Sequence, residues 1–508
     1  MLLRRAMRLG VPRALGVRAL SVPAMPPTLA ALRRDAERVL DEGRELTQPP
    51  VTAHGWVVSA RRQKTRTFLE VDDGTLGGDA TLQVVLSGDV RDVTPGQAVC
   101  LHGAMKPGRG QRRSQRVELH ADSVDVLADC DLATYPLANV MQRHAQPHDS
   151  AIVDIVRRES HLKARTPRFA AIARTRARME LAIATWFGEN DFCKVAPPII
   201  TASDCEGGGE IFRVVADADV RQRDGLAAFW SGHDAYLTVS TQLHLEAFAL
   251  GLSRVWTLCP VFRAEGSATN RHLAEFWMCE AEFCWLPPGA AGLHRVLDCT
   301  EHMLKRALHA AWDGERAHDD MAFLGAEAHA AWLTQPWPRI SYTEAVRLLR
   351  ERHAAPPAWG DSLRSEHERW LADHFASPVF VTDYPSEGKP FYMRENCART
   401  TLTPDLHPTR AGAAEATVAC FDLLAPGVGE LVGGSVREER LDMLRTRMAQ
   451  AGLQASGLHW YTHDLRRYGG APHGGFGLGM ERLLSWVTHT EHVRDLVGFP
   501  RVKGPLRY

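Results

Sequence analysis

The stretch that decides the fold is Val255–Glu282, which reads VWTLCPVFRAEGSATNRHLAEFWMCEAE. Its first part, Val255–Phe262, consists mainly of β-branched, aromatic and apolar residues and is followed by Arg263. Small and polar residues fill Ala264–Leu273, and Glu275–Phe283 is again aromatic and apolar. Apolar runs on either side of a polar segment are typical of two strands joined by a loop. The stretch therefore predicts an antiparallel hairpin with charged side chains near its open end.

Two side chains of this hairpin suit a nucleotide. A guanidinium on a rigid strand, here Arg263, can hold a phosphate through two hydrogen bonds. The aromatic ring of Phe276 on the second strand can stack against a base. On the residues alone Arg263 has an ordinary alternative, since most arginines are simply solvated.

Length and composition limit the class of protein. The 508 residues are enough for two or three domains with a large core, and 45% hydrophobic with 24% charged residues is typical of a globular protein. A net charge of −1 excludes a generally basic nucleic-acid binder, so any nucleic acid must be held by local patches. The ten cysteines form no CxxC pair, which favours reduced thiols in a reducing compartment. We find no run of about 18 apolar residues, so we expect no transmembrane helix and no membrane partner.

The front of the chain has a different pattern from the rest. Val51–Leu127 contains short apolar runs separated by Gly, Asp-Gly and Pro-Gly turns, which predicts a small β-barrel. Taken alone, Phe68 reads as an aromatic residue of the barrel core. The basic segment Lys106–Arg116 is either a phosphate contact or a solvated loop.

The first residues form a segment of their own. Met1–Ala31 carries five arginines among apolar residues, and the first acid is Asp35. An arginine-rich, acid-free start of this kind is typical of a mitochondrial or plastid transit peptide. The alternative is an ordinary basic tail.

The rear of the chain is rich in glycine. Val418–Arg440 contains apolar runs broken by glycines, which predicts two strands joined by a tight turn. Within it, Asp422, Glu430 and Ser435 offer the hard oxygen ligands that Mg²⁺ prefers. A glycine-rich strand then leads into an apolar helix over His473–Val487.

These segments together resemble the class II aminoacyl-tRNA synthetases, specifically the asparaginyl branch. FRAE, RHLAEF and E-x-E within Val255–Glu282 resemble motif 2 of that family, and His473–Val487 resembles motif 3. The helix-to-strand pattern of Phe169–Ile200, with Pro198, resembles motif 1, although Asp191 stands where the family usually has glycine. Val51–Leu127 resembles the OB-fold that precedes the catalytic domain in class IIb.

The resemblance implies an α+β architecture in two domains. An N-terminal OB-fold β-barrel is followed by a class II catalytic domain, in which helices flank an antiparallel six-stranded sheet, and motif 1 forms a homodimer. In chain order it implies a transit peptide at 1–31, the OB-fold anticodon-binding domain at 48–128, a hinge at 129–165, and the catalytic domain at 166–508 with insertions near 214–230, 287–338 and 395–415.

The resemblance also implies roles for individual residues. Arg263 and Arg482 would be catalytic, and ATP would be held by the same two arginines together with Glu265, His272 and Phe276. Mg²⁺ would be bound by Asp422, Glu430 and Ser435. The amino acid would be held by Glu206, Ser240, Gln242, Glu280 and Arg437, and the anticodon by Phe68 and Gln83.

Asparagine is the amino acid that the sequence favours. Its side chain presents one acceptor and two donors, which suits donation from Arg437 and acceptance by Glu280. Aspartate would oppose its charge to Glu280 without the lysine that aspartyl relatives carry in their QLxK segment, because Leu245 stands at that place here.

The expected activity is therefore the ATP-dependent ligation of asparagine to tRNA(Asn) for organellar translation, in the mitochondrion or else in a plastid. Three alternatives stay open. They are an aspartyl or non-discriminating aspartyl/asparaginyl synthetase, a catalytically inactive RNA-binding paralogue, and an ammonia-dependent asparagine-forming enzyme, which would lack the OB-fold.

Overall fold

The computed structural model describes residues 25–47, 49–88, 90, 92–108, 116–138, 150–202, 211–217, 228–231, 233–266, 269–407, 409–452 and 458–508. Most of the predicted transit peptide, most of the basic segment 106–116 and Glu206 lie outside these residues. The chain divides into two compact units, one formed by 1–76 and 80–146 and the other by 77–79 and 147–508.

The first unit is the predicted barrel. Five strands close it in the order β1-β2-β3-β5-β4, and helix α1 at Leu29–Asp41 packs on them. The side chain of Thr28 caps α1 by accepting from the Ala31 N–H. The strands are β1 Val51–Arg62, β2 Arg66–Asp72, β3 Leu82–Ser87, β4 Ala98–Pro107 and β5 Val117–Ala128. Alternate apolar side chains of these strands point inward and form the barrel core.

The second unit is built on an eight-stranded sheet. Its order is β11-β12-β15-β16-β17-β10-β9-β6. These strands are β6 Cys193–Lys194, β9 Arg254–Phe262, β10 Glu275–Cys284, β11 Arg339–Ser341, β12 Val379–Thr382, β15 Cys420–Ala425, β16 Gly429–Val436 and β17 His473–Gly479. The six inner strands pair antiparallel, whereas the two edge strands β6 and β11 pair parallel to their neighbours. The expectation of six strands is therefore wrong, because the sheet has two additional short strands at its edges.

Two further strand pairs lie outside this sheet. They are β7 Ile200–Thr201 with β8 Tyr236–Leu237, and β13 Thr400–Thr401 with β14 Ala414–Glu415. The strand predicted at the end of the helix-to-strand segment Phe169–Ile200 is thus broken into β6 and β7, and the two prolines between them lie outside regular structure. Asp191, just before this segment, has φ +62°, the left-handed conformation that glycine adopts most readily.

Helices cover the sheet. They are α2 Ser150–Arg158, α3 Pro167–Glu189, α4 Gln242–Leu252, α5 Ala290–Trp312, α6 Glu315–Phe323, α7 Ala330–Thr334, α8 Tyr342–Arg352, α9 Ser365–Phe375, α10 Leu441–Gln450, α11 Leu465–Arg467 and α12 Met480–Thr488. Helices α3 and α5 supply much of the largest core, where the Phe187 ring stacks on Trp256 with centroids 4.7 Å apart. None of the described helices is long and apolar enough to cross a bilayer.

The segment 395–415 differs from its predicted form. It was predicted as an insertion, and its polar, turn-rich sequence favours a surface excursion, but it contains the hairpin β13–β14. Leu402 and Leu406 within it are fully buried against α8 and α9. The segment therefore contributes to the core of this unit.

Candidate active site

The predicted hairpin is confirmed as β9 and β10. Its strands pair from Phe262 with Glu275 to Arg254 with Phe283. Arg263 follows β9 directly, and its N–H donates to the carbonyl of Ala274 at 3.0 Å. The Arg263 guanidinium carbon lies 5.6 Å from the centroid of the Phe276 ring, within the range of a cation–π contact.

The residues expected to hold ATP line one cavity of about 130 Å³, which we call the first cavity. They are Arg263, Glu265, His272, Phe276 and Arg482. His272 Nε2 lies 3.2 Å from Glu265 Oε2, and its other ring nitrogen contacts Thr269 Oγ1. The structure thus brings these five predicted residues to one place.

Arg482 joins the glycine-rich rear of the chain to the first cavity. It lies in the first turn of α12, directly after β17. Its Nη1 donates to the Glu430 backbone carbonyl at 3.1 Å and lies 3.4 Å from Glu430 Oε2. The backbone of β16 therefore fixes the direction of this guanidinium.

Arg271, a third arginine of the first cavity, was not predicted from the sequence. Its guanidinium donates to the carbonyl of Val428. Burial and the neighbouring Arg482 lower its pKa. The signal was present in the sequence, since Arg271 directly precedes His272 in the RHLAEF segment, but one more arginine in a polar loop has an ordinary solvated alternative.

A second cavity of about 280 Å³ contains the residues expected to hold the amino acid. Ser240, Gln242, Glu280 and Arg437 line it. Glu206, the fifth predicted member, lies outside the described residues.

The two cavities share part of their lining. Arg263, Met278, Glu430 and Gly477 line both of them. One guanidinium and one carboxylate thus lie where the contents of the cavities would meet. A group bound in the second cavity could react with a phosphate bound in the first, with Arg263 beside the reacting atoms.

Glu280 is buried and already has several donors. Its carboxylate accepts from the Ser240 hydroxyl, the Thr241 hydroxyl and the Thr241 N–H, the last at 2.9 Å. These bonds fix the residues that open α4 and thereby place Gln242. Acceptance from a ligand amide by Glu280 stays a prediction.

A buried charge cluster lies behind the second cavity. Arg437 donates to Glu282 through Nε at 3.1 Å and Nη2 at 2.9 Å. Glu246 accepts from Arg466 at 2.9 Å and lies 3.0 Å from His473 Nε2 and 3.9 Å from Arg437. Two arginines thus face two glutamates, and an equal number of opposite charges makes their burial tolerable.

The pKa values of the two carboxyl groups in this cluster are shifted in opposite directions. Burial would raise the pKa of Glu246, but the charges of Arg466, His473 and Arg437 outweigh it and hold that pKa well below its usual value. Burial raises the pKa of Glu282 despite its contact with Arg437. Glu246 is therefore the firmer anion of the pair.

Glu246 and its partners were not predicted from the sequence. Its signal was a single acid in the otherwise apolar helix α4, which reads QLHLEAFALGL. A buried carboxylate requires cations or donors, but the residues that supply them are distant in the chain. Tyr461, for example, donates to both oxygens of Glu246 at 2.8 Å.

Two of the three predicted metal ligands face each other. Asp422 on β15 pairs with Gly433 on β16, and a side chain at Gly433 would lie 3.6 Å from Asp422 Oδ1 and 3.5 Å from Glu430 Oε1. Burial and the charge of Glu430 raise the pKa of Asp422, while Lys389, with its Nζ 3.6 Å from Asp422, opposes the rise. Two hard carboxylates around an open glycine position fit Mg²⁺.

Ser435 has a different environment from these carboxylates. It is fully buried, and its hydroxyl oxygen accepts from Arg437 Nη1 at 2.8 Å. This hydrogen bond orients the guanidinium of Arg437.

The predicted anticodon residues lie on the outer face of the barrel. Phe68 and Gln83 belong to β2 and β3, whose register pairs Phe68 with Val85 and Glu70 with Gln83. Phe68 is half-buried with the Arg61 guanidinium carbon 5.3 Å from its ring centroid, and it is not among the core residues, so its reading as a core aromatic is wrong. Gln83 Nε2 donates to Glu118 Oε2 at 2.9 Å.

Known proteins resemble this chain over most of its length. The family described as tRNA synthetases class II (D, K and N) matches residues 153–503. An asparagine–tRNA ligase of Rhodopirellula baltica is 40% identical over 480 residues, which are 90% of each chain. An asparaginyl-tRNA synthetase of Mus musculus is 38% identical over 488 residues, 94% of each chain.

Solved structures agree with these sequence relatives. The crystal structure of an asparaginyl-tRNA synthetase from Pyrococcus horikoshii, complexed with asparaginyl-adenylate, matches with a TM-score of 0.75 and 30% identity. The match covers 91% of this chain and 96% of that one. The joined cavities, the three arginines of the first cavity and these relatives lead to one conclusion: the chain belongs to the class II tRNA synthetases and, within them, to the asparagine–tRNA ligases.

Proposed function

We propose that this chain attaches asparagine to tRNA(Asn) in two steps. The asparagine carboxylate attacks the α-phosphorus of ATP, which gives asparaginyl-adenylate and releases pyrophosphate. The terminal ribose hydroxyl of the tRNA then takes the asparaginyl group, and AMP leaves. The observation that carries the proposal is that Arg263 lines both cavities, beside the only place where the two substrates would meet within the described site.

The first step needs positioning and charge neutralisation more than a general base. Arg263 stabilises the charge that develops on the α-phosphate, and Phe276 stacks on the adenine. His272 and Arg482 lie towards the γ-phosphate, with Arg271 as a further cation of the same cavity. Glu265 orients His272 and contacts the adenine or the acceptor end of the tRNA.

Asp422 and Glu430 would hold Mg²⁺ at the open side of Gly433. The ion, when bound, neutralises phosphate charge. Without the ion, the ammonium of Lys389, 3.6 Å from Asp422, balances part of the charge of that carboxylate.

The charge cluster supports the choice of asparagine. Arg437 donates to the side-chain carbonyl of asparagine, while its charge is already matched by Glu282 and Glu246. A neutral amide adds no net charge to this balanced set, whereas aspartate adds an anion. Leu245, buried in an apolar cluster at the edge of the second cavity, supplies no compensating cation.

Charging of a tRNA(Asn) transcript with radiolabelled asparagine tests the proposal. We expect Arg263→Gln to lower the rate about 100-fold or more, the usual loss when a preorganised charge donor is removed. Arg254→Gln is the matched control, because Arg254 lies at the other end of β9 and is exposed. Equal rates for wild type and Arg263→Gln would overturn the role of Arg263, and charging with aspartate alone would favour the aspartyl alternative.

We further propose that the chain is a homodimer formed through α3 and β6. Leu181 on α3 is 69% exposed, and β6 forms one edge of the sheet with both of its residues exposed. Exposed apolar side chains beside an open edge strand are typical of a surface covered by a partner. Light scattering of wild type should give twice the mass of one chain, and Leu181→Asp should give a monomer; a wild-type monomer would contradict the proposal.

The leader supports an organellar site of action. The predicted segment 1–31 overlaps α1, because Thr28 caps that helix and Leu29 is buried in the barrel core. We propose that the residues ahead of Thr28 direct the chain to the mitochondrion, since they are rich in arginine and free of acids. A fluorescent protein placed behind these residues, in cells that contain both mitochondria and plastids, tests this. Fluorescence in plastids would favour the other organelle, and diffuse fluorescence would favour an ordinary basic tail.

A further inference from the structure

Three metal-ligating side chains converge on the outer face of the barrel. Cys100 and His102 lie two residues apart on β4, so they point to the same face, and Asp125 on β5 pairs with Cys100. Cys100 Sγ lies 3.5 Å from His102 Nε2, and His102 Nε2 lies 3.7 Å from Asp125 Oδ2. One donor atom from each side chain lies within 4.8 Å of the other two.

These separations fit one metal ion. Zinc is bound at about 2.3 Å by sulfur and at about 2.0–2.2 Å by nitrogen and oxygen, usually as a tetrahedron. The edges of such a tetrahedron are about 3.3–3.6 Å long. The two measured separations are close to this length, so little movement is needed to place an ion among the three donors.

A second residue orients the histidine. Thr52 Oγ1 lies 3.1 Å from His102 Nδ1, on the ring edge opposite the cluster. A metal-bound histidine typically makes such a hydrogen bond with its other nitrogen, which fixes the ring and selects the tautomer. Thr52 and His102 are partners in the β1–β4 ladder, so the sheet itself maintains this contact.

A second histidine lies on the same face of the barrel. His54 on β1 is the ladder partner of Cys100, and its Nδ1 is buried and has no hydrogen-bond partner among the residues that the structure describes. His54 does not belong to the set of donors that lie within 4.8 Å of one another, so its ring would have to turn to reach an ion held by the other three.

We propose that Cys100, His102 and Asp125 bind a divalent cation of the zinc class, with His54 or water in the fourth position. The thiolate selects a soft or borderline ion over Mg²⁺. The site lies on β1, β4 and β5, whereas Phe68 and Gln83 lie on β2 and β3, so it is separate from the predicted anticodon residues. The ion would tie these strands together and stabilise the barrel.

Cobalt absorption of the full-length protein tests the site. Protein dialysed against a chelator is titrated with Co²⁺, which reports tetrahedral geometry through its visible bands and thiolate ligation through a charge-transfer band. We expect wild type to show both, and Zn²⁺ to abolish them by displacement. Cys100→Ser should lose the charge-transfer band, and His102→Gln should weaken Co²⁺ binding at least tenfold.

Two controls keep the test specific. Cys397→Ser removes an exposed thiol elsewhere in the chain and should leave the spectrum unchanged. His463→Gln disrupts a separate cluster with His459 and Asp464, which lacks a thiol and should contribute no charge-transfer band. Circular dichroism checks that the variants fold. A wild-type spectrum without a thiolate band, or an unchanged spectrum for folded Cys100→Ser, would overturn the proposal.

Discussion

The guanidinium of Arg437 lies between two buried carboxylates, and this position makes a prediction about stability. Arg437→Met leaves Glu282 and Glu246 short of one cation. Removing one partner of a buried ion pair typically costs about 3–5 kcal/mol. Urea denaturation should show this loss of stability, and the KM for asparagine should rise strongly.

A double substitution separates the two effects. Adding Glu282→Gln to Arg437→Met removes the stranded anion and should restore most of the stability, whereas the asparagine KM should stay high. Arg364→Met is the control, because Arg364 and Glu366 form an exposed ion pair at the surface. Loss of this pair should lower the free energy of unfolding by about 1 kcal/mol or less. Restored asparagine binding in the double variant would refute the role given to Arg437.

A second prediction at the residue scale concerns Glu280. Glu280→Gln replaces an anion that accepts three hydrogen bonds with an amide that has one acceptor oxygen. The start of α4 loses order, and discrimination against aspartate should weaken because the repelling charge is gone. The discrimination is measured in adenylate formation, as the ratio of kcat/KM for asparagine to kcat/KM for aspartate. An unchanged ratio would count against a role for Glu280 in selection.

The predictable part of the site is the part that lies within recognisable local patterns, namely the hairpin and the glycine-rich segment that ends near Arg482. Arg263, Glu265, His272 and Phe276 stand within one hairpin, and their pattern is visible in one stretch of chain. Glu246 and Arg466 are 220 residues apart, so nothing local marks them as partners. Likewise, Ser435 was predicted as a metal ligand because its hydroxyl oxygen suits Mg²⁺. Its hydrogen bond with Arg437 becomes visible only in the folded sheet.

At the scale of elements, the close approach of β10 and β17 gives a prediction. A methyl group at Gly475 would overlap the carbonyl oxygen of Ala281 and the carboxylate of Glu282. Gly475→Ala must therefore spread the two strands or displace Glu282 from Arg437. Overpacking of this kind costs about 1–3 kcal/mol or more, and asparagine affinity should fall with it.

Thermal denaturation and adenylate formation check this prediction. Gly188→Ala serves as the control, because Gly188 lies in α3 with open space around it and alanine favours a helix by about 1 kcal/mol. Gly475→Ala should lower the melting temperature while Gly188→Ala leaves it equal or higher. A Gly475→Ala protein as stable and active as wild type would contradict the packing described for β17.

A buried lysine gives a prediction about pH. Lys163 is 2% exposed and donates to the backbone carbonyls of Arg494 and Val497, which anchors the segment 493–497. Burial lowers its pKa to about 8 from the usual 10.5. Between these two values the unfolded chain binds a proton that the folded chain does not, so stability should rise with pH.

The comparison of wild type with Lys163→Gln isolates this group, because glutamine keeps a donor but does not titrate. Relative to the variant, wild type should gain roughly 2 kcal/mol between pH 8 and pH 10. Urea denaturation at the two pH values gives the difference. A constant difference between the two proteins would mean that Lys163 keeps its ordinary pKa.

Length decides which elements the sequence predicts. The long apolar runs of β9, β10 and β17 and the helix α3 are visible as patterns. The edge strands β6 and β11 have two and three residues, too few for any periodicity, so the sheet has eight strands where six were expected. The burial of Leu402 and Leu406 also escaped prediction, because the surrounding segment is polar and rich in turn residues.

At the scale of the whole molecule, the chain combines two units with separate cores. The barrel core and the cores of the second unit share no residue. The fold class was predictable because each unit has its own pattern of strands and turns. The net charge is close to zero, so the predicted tRNA would have to be bound through local patches. Phe68, with the Arg61 guanidinium carbon 5.3 Å from its ring centroid, stays the predicted contact on the barrel.

The central claim is that one site joins asparagine, and not aspartate, to ATP. Amino-acid-dependent ATP–pyrophosphate exchange by the full-length chain tests it most directly, with the two amino acids compared side by side. We predict exchange with asparagine and none above background with aspartate. Exchange with aspartate at a comparable kcat/KM would contradict the argument from the balanced charges around Arg437, and no exchange with either from folded protein would contradict the assignment of the two cavities.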